Sequence, residues 1–211
     1  MRSIFLKHVI IFFLPSFFCS SEIYCQTRSN LTSLFTSTEH SVAYRTVKKM
    51  LFVVESEIVG KNSNVSVRVL QTSNDNFSIN VNIPIDKFDS GNSKRDKNVA
   101  EILQQEKNPN LIFQSDTMDR DDWQNFWKQE EFPLTGTLRI GDNSYPLTIH
   151  INTTMVDTMK VISGIYIGKF TQFGLEVPKV GPMGIIANAT DYLELHFHFV
   201  VSKIIGINQI F

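Results

Sequence analysis

Twenty Lys and Arg against 21 Asp and Glu leave this 211-residue chain almost neutral. No basic excess marks a nucleic-acid partner, and no basic helix marks an anionic membrane surface. The chain is long enough for one ordinary domain with a core of its own, and no internal repeat divides it.

The first stretch, MRSIFLKHVIIFFLPSFFCSSEIYC (1–25), carries Arg2 and Lys7, then an apolar run from Val9 to Phe18, then small polar residues. Basic, apolar, small is the order of a secretory signal peptide. The run is well short of the roughly 20 residues that cross a bilayer, so no stable transmembrane insertion is expected. Cleavage after Ser21 and cleavage after Cys25 both fit. Lipid attachment at Cys19 or Cys25 is disfavoured, because Phe18 and Tyr24 stand where small residues are needed. These are the only two cysteines. A cut after Cys25 leaves neither thiol nor disulfide, and the core must then hold unaided. The expectation is therefore a leader over 1–25, a disordered Ser/Thr-rich lead-in over 26–38, a domain over 39–204 and a C-terminal tail over 205–211, in a periplasmic or extracellular protein.

From His40 the chain alternates apolar and polar residues, the period of a strand with one dry face. SVAYRTVKKMLFVVESEIVG (41–60) reads as one long strand or two successive ones, and NVSVRVLQT (64–72) follows. In NFSINVNIPI (76–85), Phe77, Ile79, Val81 and Ile83 face one way. Later strands are LIFQSDTM (111–118), PLTGTLRI (133–140), YPLTIHINTT (145–154), MKVISGIYIGKF (159–170) and YLELHFHFVVSKI (192–204). Asp142-Asn143 after Gly141 reads as a tight hairpin turn. The sum is about eight strands with short connections.

One segment breaks the alternation. In DSGNSKRDKNVAEILQQEKNPNLIF (89–113) the spacing predicts a helix over about 94–107. Ser93 would cap it, with Asp96 completing a variant capping box. Val99, Ile102 and Leu103 form a single apolar stripe, and Pro109 ends the segment. A second, shorter helix near 121–129 is suggested by Trp123, Phe126 and Trp127, spaced i, i+3 and i+4; it reads as packing at a rim or as a lid. An all-β domain whose strands are dry on one side can pack as two sheets or close into a barrel. Pattern alone does not choose, nor does it say whether the interior is hollow or filled.

At the helix the chain resembles the YceI-like, polyisoprenoid-binding family. VNIPIDKFDSGNSKRDKNVAEILQQEKNPNLIFQSD is similar to that family's strand, glycine turn, Arg-Asp helix and Pro-containing return. EHSVAYRTVKK (39–49), LTGTLRIGDNSYPLTIHI (134–151) and KFTQFGLEVP (169–178) resemble three further family motifs in matching order. The resemblance implies a single eight-stranded antiparallel, lipocalin-like β-barrel with the helix covering an end or a gap. It also implies an exported, non-catalytic protein that holds a long isoprenoid, quinone or fatty-acid-like lipid. Two positions depart from the family. Asn98 stands where a histidine is common and Phe170 where an arginine is, which weakens the case for a charged head group.

The dry-face residues Phe77, Ile79, Val81, Phe113, Leu138, Leu147, Ile149, Leu195 and Phe197 are the candidate apolar lining. No catalytic residue, cofactor or metal is assigned. His196 and His198 share a strand face with Glu194, a pattern more common on a polar face than in a metal site. No nucleophile elbow or phosphate loop is present. Two rivals stay open: a small enzyme using the same cavity with His40 or His150 as acid–base groups, and a secreted structural domain with a filled core. A homodimer is compatible with the sequence.

Overall fold

The computed structural model describes residues 38–50, 54–180 and 187–210. The described residues belong to one compact unit, Ser37–Phe211. The expected leader, and all of the lead-in except Thr38, lie outside the described residues.

Among the described residues, twelve strands form one curled sheet. In chain order they are β1 (Ser41–Met50), β2 (Val54–Asn62), β3 (Ser66–Ser73), β4 (Asn76–Pro84), β5 (Asn110–Ser115) and β6 (Met118–Asp119). Then come β7 (Glu131–Ile140), β8 (Asn143–Val156), β9 (Met159–Gly168), β10 (Lys179–Val180), β11 (Ala187–Ala189) and β12 (Leu193–Val200). The main path runs β2-β1-β12-β9-β8-β7-β5-β4-β3, antiparallel throughout. Short β6 adds to β4, and short β11, with β10 beyond it, adds to the end of β1.

The main path has nine strands, not the expected eight. The difference lies in 41–60, where β1 and β2 are the two arms of a hairpin whose registers run from Met50↔Val54 to Val42↔Asn62. β1 ends at Met50 and β2 begins at Val54, and the sequence MLFVV has no Gly, Pro, Asn or Asp to announce a turn.

β2 and β3 sit at opposite ends of the path yet are separated by only three residues, so the chain itself joins the two ends of the curl. Asn62 fixes this corner. It is fully buried, donates from Nδ2 to the Pro84 carbonyl at 2.7 Å and accepts from the Asn64 N–H at 2.8 Å. The free edges of the two strands are also covered. Asp89 bridges to Lys61 of β2, and Ile205 exchanges backbone hydrogen bonds of 2.8 and 3.0 Å with β3. Ile207 and Ile210 are buried beyond it, so residues 205–210 pack as part of the domain.

The first helix, α1, spans Ser93–Ile102. Its cap is Asn92, one residue before the expected Ser93, accepting from the Arg95 N–H at 3.0 Å. Asp96 reaches back to the Ser90 N–H at 3.0 Å rather than to the cap. The helix stops at Ile102 instead of 107 because Gln104 takes a left-handed φ of 58°. The second helix, α2 (Arg120–Phe126), is capped by Asp119. At the β7–β8 hairpin, Gly141 and Asp142 form the turn; Gly141 has φ 56° and Asn143 already pairs with Ile140. Among the described residues, no helix is long and apolar enough to cross a membrane.

Candidate functional site

Period-two alternation along the main strands puts one apolar row of each on the inside of the curl. Of the nine candidate lining residues, Ile79, Val81, Phe113, Leu138, Leu147, Ile149, Leu195 and Phe197 stand on the wall of an apolar cavity of about 120 Å³. Phe77 does not. It is buried below α2, where Trp123 Nε1 donates to its carbonyl at 3.1 Å and the Arg120 guanidinium lies 4.9 Å from its ring centroid. Val42 and Tyr44 of β1, Tyr166 of β9 and Phe199 of β12 also line the cavity and were missed by sequence reasoning. The alternation in those strands was the signal that could have found them.

The lumen stays open because several aromatic rings lie against its wall rather than across it. Tyr44 pairs directly with Gly60, and Phe197 with Gly164. A Cβ on either glycine would come within 3.0 Å of the facing ring, and one on Gly136 would meet Phe113 in the same way. Each ring occupies the space a side chain would take on the neighbouring strand. One end of the cavity is floored by α2. Trp123, Phe126 and Trp127 are all buried, and Phe126 makes edge contacts with Trp123, Trp127 and Phe132 at centroid distances of 5.2, 5.0 and 4.8 Å.

At the other end, Tyr44, Phe88, Leu111 and Leu195 form a throat shared with a larger chamber of about 430 Å³. The stripe Val99, Ile102 and Leu103 of α1 lines this chamber, as do Phe170 and Leu175 of the β9–β10 connection. The helix therefore covers an end of the curl. The Tyr44 ring stacks obliquely on Phe88 at 5.6 Å. Its hydroxyl is buried and makes no hydrogen bond of normal geometry. Burial pushes the phenol's pKa up, with Ser90 as a partly offsetting polar neighbour.

Besides the phenols of Tyr44 and Tyr166, His196 of β12 borders the deep cavity. On the outer face of β1 and β12, buried Arg45 pairs with Glu194 at 2.8 Å and with Glu57. Glu194 also accepts from Tyr192 and lies 2.8 Å from His196 Nε2. Burial alone would raise the Glu194 pKa, but the hydrogen bonds from Tyr192, His196 and Arg45 outweigh it and hold the carboxyl below its ordinary value. The Glu57 carboxylate, followed by Glu194, raises the Arg45 pKa further above its already high value. His40 accepts from the Val200 N–H on Nδ1 at 3.2 Å, and its Nε2 lies 3.2 Å from the Lys203 carbonyl. This fixes a neutral ring protonated on Nε2. His150 is exposed beside Glu131 at 3.7 Å. Neither His40 nor His150 lines the cavity.

Comparison with known proteins decides the family. The YceI-like domain matches residues 35–201, most of the chain. The chain belongs to the YceI-like family. Among solved structures, this YceI-like protein is similar to Burkholderia cenocepacia BcnA, with TM-score 0.55 and 17% identity over 76% of this chain and 95% of that one. It is also similar to the Campylobacter jejuni YCEI protein, with TM-score 0.51 and 17% identity over 72% of this chain and 88% of that one. At such identities the likeness is one of fold. No curated protein sequence matches this YceI-like chain.

Proposed function

We propose that the protein is an exported carrier that holds a long apolar chain, of the isoprenoid, quinone or fatty-acid-like class, inside its curled sheet and does no chemistry on it. The observation that carries this reading is a pair of adjoining spaces. An apolar cavity of about 120 Å³ and a chamber of about 430 Å³ share four lining side chains. An apolar space of about 150 Å³ stays dry and takes a group the size of benzene, and pockets of about 300–1,000 Å³ are the usual size for small-molecule ligands. The deep cavity thus suits the tip of a chain, and the chamber suits the rest.

Energetics supports the same reading without any polar motif. Burying about ten methylenes at about 0.8 kcal/mol each yields roughly 8 kcal/mol gross, from which ordering costs are subtracted. The absence of His40 and His150 from the lining favours a carrier over an enzyme built on either. Native mass spectrometry of protein purified from its own host tests the proposal. A co-purifying lipid of defined mass is expected, and Ile149→Trp, which fills the lumen, is expected to emerge empty. Protein that is always empty and takes up no added quinone, prenol or fatty acid would sink the carrier reading.

A further inference from the structure

The chamber above the throat has a charge pattern that the chain's composition does not predict. Four cations line it: Lys48 from β1, Lys94 and Arg95 from the first turn of α1, and Lys179 from β10. Among the described residues, no Asp or Glu lines it, although acids slightly outnumber bases in the chain. Among the described residues, none of the four cations is in an ion pair. Asp96, the acid of that helical turn, has its carboxylate held by the Ser90 N–H and hydroxyl.

Two further observations point the same way. Lys94 and Arg95 stand at a helix N-terminus, where the helix dipole opposes positive charge and favours a bound anion. Tyr44, more than nine-tenths buried, stands where cavity and chamber meet, with a hydroxyl that makes no hydrogen bond of normal geometry. Leaving such a group unpaired is costly, and a ligand oxygen at the throat would relieve that cost. Asn98 and Phe170, the two departures that argued for a neutral head group, both line this chamber. Its cationic character comes instead from other positions, Lys48, Lys94, Arg95 and Lys179.

We propose that the chamber is a head-group subsite for an anionic oxygen group, carboxylate or phosphate, attached to the apolar chain held below. This rests on the carrier reading, and the test separates the two. Affinities of the purified protein for dodecanoate, dodecyl phosphate, dodecanol and dodecyltrimethylammonium, which share one chain, are measured by calorimetry at low and high salt. At low salt at least one anion is expected to bind about ten- to a hundredfold tighter than dodecanol; which of them does so identifies the head group. High salt should narrow the gap by screening. In the triple variant Lys48→Gln, Lys94→Gln, Lys179→Gln, the anions and dodecanol should bind alike. Equal affinity for anions and alcohol in the wild-type protein, tighter binding of the ammonium compound, or a preference that survives both salt and the triple variant overturns the head-group subsite and leaves the carrier standing. Failure of all four compounds to bind overturns both.

Discussion

Gly164 shows how a residue with no side chain shapes the lumen. Its missing Cβ is the space in which the Phe197 ring lies, and the His150 backbone carbonyl closes the other side. Gly164→Ala must therefore push the ring inward or the strands apart. Overpacking of this kind costs about 1–3 kcal/mol, so a lower urea midpoint is expected together with weaker uptake of a chain ligand. A drop in stability with uptake unchanged would mean that the ring does not bound the ligand space. His40 provides a test of charge. Burial depresses its pKa, against the Lys203 carbonyl and the Glu39 carboxylate that favour the proton and with Lys203 and His198 that oppose it. Since the unfolded ring titrates at about 6.5, this contribution is complete above that pH and is lost as pH falls through the folded value. Urea unfolding between pH 8 and pH 5 should show a smaller loss of stability for His40→Gln than for wild type. Glu194, also depressed, acts only at the lower pH where carboxylates take protons, so the two windows separate.

The elements differ in how plainly they were written. β4 and the β7–β8 hairpin were legible because Phe77, Ile79 and Val81, or Leu147 and Ile149, alternate with polar neighbours and turn residues bound them. The break between β1 and β2 was not, because an apolar reversal leaves no punctuation. α1 was legible as a helix, but its end depends on the φ of Gln104, which its sequence does not announce. α2 was legible as an apolar stripe, although Trp123, Phe126 and Trp127 could equally have belonged to a lid. Their burial makes them a floor. Trp123→Ala is expected to lose about 3–5 kcal/mol, as a buried aromatic does, and to deepen the cavity. A loss below about 1 kcal/mol in denaturant titration, far under the cavity cost of a packed ring, would show that α2 is a detachable cover.

At the scale of the whole domain, alternation predicted an all-β architecture, the family resemblance predicted its curl, and eight of nine proposed lining residues border the cavity. Phe77 was misplaced because period-two logic cannot see that a helix covers that end of β4. The chamber was invisible in the sequence for a related reason. Lys48, Lys94, Arg95 and Lys179 come from three separate stretches, and only the fold gathers them. The same long-range wiring governs assembly. Among the described strands the first finds its partner in the last, with Ser41 opposite His198, so the interior remains unsealed until β12 is available. Such distant pairing is intrinsically slow, on the order of milliseconds to seconds. A fragment ending before β12 would present the raw flank of β1 to other chains, so any premature truncation of this protein turns a container into a seed for aggregation.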